Sequence, residues 1–415
     1  PVRLGNMVVE EVIQDEIRSW SKEALEKINP NFNDLPACPF AEGAWADDKV
    51  GIAFKRSPSY QDLTTIVSTW DDKNDLVILV DLKYTPNREE YYHYIDGLNE
   101  AIAEEMRNDK TILLMGEDVA EAGTPFKVLS GLVEEFGTDR IIDTPISEPG
   151  FVGMAVGAAM TGTRPIVDLM FGDFIFLVMD QLANQAAKQH YMSGGKLNVP
   201  MVIRTNMGAT RRSAAQHSQS LQAIVAHIPG VKVLMPSTPY EVKGLLKAAI
   251  RDDNPVVIFE DKLSYQMKGM VPEEEYIIPL GQANILQAGN DITLVATSSM
   301  VQVCEEAAEV LRSKNISAEI IDVRSIVPLD EQTIVDSVKK TSRVIVVDEG
   351  HQSYGITSEI VSRISEQAFY YLDAPPTRIG AMDVPIPFSP ALEDLTVPTS
   401  KQVVDKAIDL INNKF

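Results

Sequence analysis

The chain has 415 residues, 45% of them hydrophobic, enough to build sizeable cores and to divide into several domains. Its formal charge of -23 argues against duplex DNA or an anionic membrane as a partner, although a local Arg or metal can still receive a small anion. The two cysteines, Cys38 and Cys304, lie too far apart to suggest a disulfide framework or a metal cluster. No apolar run is long enough to span a bilayer. A reduced, cytoplasmic setting is the expectation, or an organelle matrix if a leader was removed.

Residues 1–90 differ in texture from the rest. Helical spacing runs from Val8 to Ile28 and stops at Asn29-Pro30-Asn31. Cys38, flanked by Pro36 and Pro39, has no nearby histidine and is read as a packed structural thiol. Strands are expected around Ile52 and from Asp75 to Leu82, which gives a small α+β extension of unassigned role.

A second unit, 91–272, opens with an amphipathic helix marked by Leu98, Ala101, Ile102 and Met106, followed by a strand from Thr111 to Val119. Apolar runs then alternate with helices: PIVDLM at Pro165, a helix from Phe176 to Tyr191, PMVIRT at Pro200, VKVLMP at Val231, a helix from Pro239 to Arg251, and PVVIFED at Pro255. This alternation predicts a mostly parallel sheet covered on both faces, with ligands at the carboxyl ends of its strands. Glu117, Glu148, Phe171 to Phe174, the 205–218 loop and Asp261 fall at such ends.

A linker containing YIIPLGQAN leads to a third unit, 280–415, again α/β. Its strands are expected at Asp291, Ala318 and Arg343, and its helices at Met300–Ser313, Asp330–Lys340, Ser353–Gln367 and Lys401–Ile411. Neither a dinucleotide fingerprint nor a Walker sequence is present.

The stretch from Arg140 to Asp180 organises the second unit. Ile141 and Ile142 end a buried strand, and Phe151 to Met160 is rich in Gly and Ala, which permits close helix packing. Glu148, the only glutamate of the stretch, is either a helix-start carboxylate or a buried acid that shares a proton with a heterocycle.

Several long strings occur in order: LMGEDV at Leu114, RIIDTPISE at Arg140, GAAMTGTRPI at Gly157, YMSGG at Tyr191, AAQHSQS at Ala214, AAIRDDNPVV at Ala248, PLGQA at Pro279 and DVPIPF at Asp383. From Tyr94 to the C-terminus the chain resembles the beta subunit of the thiamine diphosphate-dependent 2-oxoacid dehydrogenases, of pyruvate or acetoin dehydrogenase type. The resemblance implies a pyrimidine-binding transketolase-like domain followed by a transketolase C-terminal-like domain. It also implies an α2β2 heterotetramer in which a separate alpha subunit holds the diphosphate and its magnesium, and a dihydrolipoyl acyltransferase core that the last domain helps to bind. The activity it implies is decarboxylation of a 2-oxoacid and transfer of the acyl group to lipoamide.

By the same resemblance, Glu148 hydrogen-bonds the pyrimidine ring nitrogen of the cofactor, and His217 orients the bound substrate and assists acyl transfer. Phe174 packs against the pyrimidine, Met170 lines the same wall, and Glu117 belongs to an acidic network near the cofactor. A potassium ion is expected on the Asp252 carboxylate and the carbonyls of Met201, Ala249 and Asn254, a hard oxygen set that braces the loop leading to the cofactor.

Arg211 and Arg212 stand where small residues are frequent in the family, and could meet a substrate carboxylate, a lipoyl domain, or acids of the alpha subunit. Pyruvate is the default substrate, with acetoin and branched-chain 2-oxoacids as alternatives. A reading of another class, a non-catalytic assembly or regulatory protein, stands against the retention of Glu148 and His217.

Overall fold

In the computed structural model of the chain, the described residues are 50–54, 62–70, 76–83 and 92–414. The helix expected at Val8–Ile28 and the environment of Cys38 lie outside them. The chain divides into two compact units, Pro1–Asn87 and Arg88–Phe415.

The first unit contains a three-stranded sheet in the order β1-β3-β2, with β1 (Val50–Phe54) parallel and β2 (Asp62–Trp70) antiparallel to β3 (Leu76–Lys83). β1 and β3 match the expected strands; β2, from DLTTIVSTW, was not foreseen.

The second unit holds two sheets. The larger has the order β13-β8-β9-β7-β6-β4-β5. Its parallel strands are β4 (Ile112–Gly116), β5 (Ile141–Asp143), β6 (Arg164–Leu169), β7 (Val202–Met207), β8 (Lys232–Leu234) and β9 (Val256–Asp261). The other sheet has the order β10-β12-β11-β14-β15: β10 (Asn284–Gln287), β11 (Ile292–Ala296), β12 (Ala318–Asp322), β14 (Val344–His351) and β15 (Thr377–Ala381). Strand β13 (Ser325–Val327), which follows the expected strand at Ala318 and was not foreseen, pairs antiparallel with β8 and so extends the larger sheet.

Helices cover both faces because β7 and β9 are buried along their whole length and present apolar side chains on each side. On one face α1 (Tyr94–Asn108) packs against α2 (Pro239–Arg251) through Leu98, Ile102, Val242 and Leu246. Each such fully buried aliphatic side chain contributes about 1.5–3 kcal/mol. Helix α2 starts where Thr238 accepts the Glu241 N–H at 3.2 Å and Pro239 fills the first helical position. The opposite face holds α3 (Glu148–Met160), whose inward side is Phe151, Val152, Ala155, Val156 and Ala159. A Cβ on Gly153 of α3 would make ordinary contact with the Gln181 side chain at 3.6 Å, and one on Gly157 would meet nothing within 4 Å. Of the small residues expected to permit close packing, Ala155 and Ala159 do face the core, whereas Gly157 does not.

The single helix expected from Phe176 to Tyr191 is three pieces. A 3-10 segment, Gly172–Val178, and a π segment, Asp180–Ala186, precede a short α-helix, Ala187–Met192. Ile175, Val178, Leu182 and Ala186 are all turned into the core, at spacings of 3, 4 and 4 that a regular helix would also meet, so their periodicity does not reveal the change of pitch. In the second half, helices Met300–Ser313, Glu331–Thr341, Ile356–Ala368 and Ser400–Ile411 lie close to their expected positions. Among the described residues no helix is long and apolar enough to cross a membrane.

Candidate active site

The carboxyl ends of β4, β5, β6, β7 and β9 face one edge of the larger sheet, and the residues singled out in the sequence emerge there. Glu117 follows β4, and Glu148 begins α3 just after β5. Met170, Phe171 and Phe174 follow β6, and Asp261 and Lys262 end and follow β9. Glu148 is 8% exposed. α3 packs against the 3-10 segment that carries Phe174. Burial first, and then the charge of Glu148, raise the Glu117 carboxyl above its ordinary value. Two acids thus face a common space, and Glu117 Oε1 is buried without a hydrogen-bond partner.

Phe171 is the hub of an aromatic wall. Its ring lies 6.0 Å from Phe126 and 5.7 Å from Phe174, both edge-on, and 4.4 Å from the His217 imidazole. Phe174 also meets His217 edge-on at 5.6 Å. These edge-to-face spacings suit the ring quadrupoles. The structure thus brings Phe174 and His217 together. Met170 is half-buried, its carbonyl bonded by the Asn206 side-chain amide.

Sequence reasoning missed Lys262 and gave Phe171 no role of its own. Lys262 is 1% exposed; its ammonium donates to the His217 carbonyl and stands 5.6 Å over the Phe171 ring. Burial lowers its pKa, opposed by the surrounding Asp173, Glu349, Asp261 and Glu393. Asp173 in turn accepts the Gln219 side-chain amide at 2.8 Å, and burial holds its carboxyl above the ordinary range. The available signal was a lysine directly after a buried strand that ends in Glu-Asp.

Beneath the edge, Arg204 bridges Asp168 on the neighbouring strand and Glu260, whose Oε1 lies 2.9 Å from the Arg204 Nε. Burial works against this cation, but the two carboxylates hold it protonated, well above its ordinary value. Removing one member of such a buried cluster is strongly destabilising because the others lose their counter-charge.

The expected potassium ligands lie elsewhere. Met201 and Ala249 through Asn254 sit by the amino ends of β7 and β9, the sheet edge opposite Glu148. Asp252 there carries the Lys232 ammonium and accepts the Asn254 backbone and side-chain N–H groups at 2.9 Å each. The Met201 carbonyl accepts the Val256 N–H at 3.0 Å and the Ala249 carbonyl the Asp252 N–H at 3.2 Å. Although burial opposes it, the Lys232 and Asn254 donors hold the Asp252 carboxyl below its ordinary value. Among the described residues no cluster of three or more His, Cys, Asp or Glu side chains could hold a metal ion.

The arginine pair is engaged within the chain. Arg211 donates to the Lys262 carbonyl at 2.8 and 3.2 Å, and Arg212 pairs with Glu393 at 2.6 Å and Asp394 at 2.7 Å.

Residues 90–268 match the transketolase pyrimidine binding domain family, and 281–403 match the transketolase C-terminal domain family. The chain is 49% identical to the acetoin:2,6-dichlorophenolindophenol oxidoreductase subunit beta of Bacillus subtilis, over 76% of this chain and 96% of that one. It is 46% identical to the pyruvate dehydrogenase E1 component subunit beta of Rickettsia felis, over 75% of this chain and 95% of that one. Among solved structures, a split gene transketolase, described as an inactive beta4 tetramer, shares the fold with a TM-score of 0.64. The identity there is 21%, covering 78% of this chain and 99% of that one.

Thiamine diphosphate is the cofactor this likeness implies, and the site's own chemistry fits its aminopyrimidine. An acid pair meets a nitrogen heterocycle, an aromatic wall meets its flat face, and the unpartnered Glu117 Oε1 is left to accept a proton. The chain belongs to the beta subunits of the thiamine diphosphate-dependent 2-oxoacid and acetoin dehydrogenase family.

Proposed function

We propose that this chain is the half of a decarboxylating component that grips the cofactor's pyrimidine, with an alpha subunit holding the diphosphate and magnesium. The proposed reaction takes pyruvate and passes an acetyl unit to lipoamide on an acyltransferase core. The observation that carries this reading is that two features leave the same carboxyl edge of the sheet: Glu117 with its charge-coupled neighbour Glu148, and the cluster of the Phe171, Phe174 and His217 rings. Thiamine diphosphate, when bound, supplies a thiazolium that stores the electron pair released as a carbon–carbon bond next to a carbonyl breaks.

The chain's own residues do the rest. Glu148 holds or releases a proton at the pyrimidine ring nitrogen, and its burial keeps that exchange away from bulk water. Phe171 and Phe174 close one side against solvent, with Met170 beside them. His217, edge-on to both rings, donates a proton to the substrate oxygen and, once it has regained a proton from solvent, donates one to the lipoyl sulfur. Glu117, with its raised pKa, serves as a proton reservoir linked to Glu148. Exposed apolar side chains on the segments that carry the site, Ile146, Met154, Phe176 and Leu177, supply a surface for the alpha subunit.

A second reading, acetoin cleavage, rests on the 49% identity to the Bacillus subtilis acetoin subunit and on the arginine pair. With Arg211 and Arg212 both bonded inside the chain, neither meets a substrate carboxylate, which suits an uncharged hydroxyketone. For potassium, the proposed site on Met201, Ala249, Asp252 and Asn254 requires the ion to displace the Lys232 ammonium. Its effect should then appear as a potassium-specific rise in melting temperature, strengthened in Lys232→Met. Equal melting in sodium and potassium for both proteins would dismiss it.

The functional test is reconstitution with the alpha subunit, thiamine diphosphate and magnesium, followed by turnover of pyruvate, branched-chain 2-oxoacids and acetoin with an artificial electron acceptor. Pyruvate turnover above the others supports the first reading and acetoin turnover the second. Turnover of none, with a stable heterotetramer and bound cofactor, would discard both.

A further inference from the structure

The segment between β7 and His217 has an unusual backbone. Thr210 (φ 69°), Arg212 (φ 57°) and Ala214 (φ 59°) are three non-glycine residues in the left-handed region within five positions. Each is disfavoured for a residue with a Cβ, and such a run persists only where its surroundings over-determine it. Those surroundings are acids from the second α/β half. Glu349, on β14, accepts the Ala209 N–H at 2.7 Å. Glu393, in the turn Pro390–Glu393, accepts the Thr210 N–H at 2.6 Å with one oxygen and the Arg212 guanidinium at 2.6 Å with the other. Asp394 takes the same guanidinium at 2.7 Å, while the Arg211 guanidinium turns to the Lys262 carbonyl.

We infer that Glu393, with Arg212 as its counter-ion, is a positioning residue for His217, a clasp by which the C-terminal half sets the conformation of the loop. An ordinary surface ion pair would not do this, since such pairs contribute little. Here Glu393 is fully buried, and one carboxylate fixes both a strained backbone amide and the side chain two residues on. Gly208, at the loop's start, permits the close approach. A Cβ there would stand 2.7 Å from Glu349 Oε2 and 2.9 Å from Asp261 Oδ2. Lys262 holds the loop's far end through the His217 carbonyl, so the histidine is fixed from both sides. The inference rests on the reading of His217 as a site residue.

The test uses the full chain assembled with its alpha subunit and compares wild type with Glu393→Gln and Arg212→Ala. Amide hydrogen exchange of the 208–217 peptide should quicken about tenfold in both, the loss of one charge-assisted bond, while exchange in the sheets stays unchanged. In the same proteins kcat should fall about tenfold with KM for the substrate within about twofold, and Arg212→Lys should recover part of the loss. Because Glu393 is buried, Arg212→Ala, at a partly exposed position, carries the test if Glu393→Gln does not fold. Unchanged exchange of 208–217 in the folded variants would overturn the clasp. Quickened exchange with wild-type kcat would overturn its positioning role. If wild type turns over no substrate, only the functional reading fails, and the exchange result still decides the clasp.

Discussion

Replacing Glu148 with Gln keeps the side chain's shape and removes its proton site. At the first turn of α3 a carboxylate gains about 0.3–1 kcal/mol from the helix dipole. Against that stands relief of its repulsion with Glu117, whose carboxyl is raised by burial and then by Glu148 itself. The two effects oppose each other, so stability should change by less than about 1 kcal/mol, a melting shift of about 2–4 °C at most. Activity should fall about 10²–10⁴-fold, the usual contribution of a positioned acid–base group, or about 2.7–5.5 kcal/mol in the barrier. The assay is reduction of an artificial acceptor by the reconstituted heterotetramer, alongside calorimetry of the same preparation. In this variant Glu117 should titrate closer to an ordinary glutamate. Wild-type turnover in a folded Glu148→Gln enzyme would refute the assignment.

Gly208→Ala should destabilise the chain by about 1–3 kcal/mol from its φ of +93° alone, with the Glu349 and Asp261 oxygens adding to the cost. An unchanged denaturation midpoint would contradict the packing described. Lys262→Met removes the donor to the His217 carbonyl and the cation among Asp173, Asp261, Glu349 and Glu393, so about 1–3 kcal/mol of stability should be lost, read by urea unfolding. Burial, and then Asp261, hold the Glu349 carboxyl well above its ordinary 4.5, so the folded chain binds this proton more tightly than the unfolded chain. The stability gained is complete below that ordinary value and is lost as pH rises towards the folded one, at up to about 1.4 kcal/mol per pH unit. Glu349→Gln should flatten this part of the stability profile, and an identical profile would count against the cause given.

The strands of both α/β halves were legible because Val- and Ile-rich runs such as PVVIFED leave little alternative to a strand buried on both faces. The 172–192 region was not. Its apolar residues satisfy a helical period on average, and only the core decides that the pitch changes from 3-10 to π to α. β13 was hidden for another reason: three residues carry no periodicity of their own, and their edge position follows from the other half's sheet. Glu148, His217 and Phe174 could be named from their strings, whereas Lys262 and Glu393 could not. Their meaning lies in contacts such as the one between Arg212 and Glu393, 181 positions apart.

That distance also bears on substrate choice. A chain of charge -23 that turns over an anion needs a cation at the reacting end of its site. The cations described near His217 are committed: Arg211 to a carbonyl, Arg212 to two carboxylates, and Lys262 to the His217 carbonyl among four acids. Freeing one of them for a 2-oxoacid would leave a buried acid or a strained loop without its partner, a cost of several kcal/mol that binding one carboxylate does not repay. A 2-oxoacid must then find its partner on the alpha subunit or in the His217 side chain, and acetoin needs no counter-charge. Replacing His217 with Asn in the reconstituted enzyme should therefore raise KM for pyruvate and leave KM for acetoin within about twofold. An equal change of KM for the two substrates would show that the alpha subunit supplies the charge.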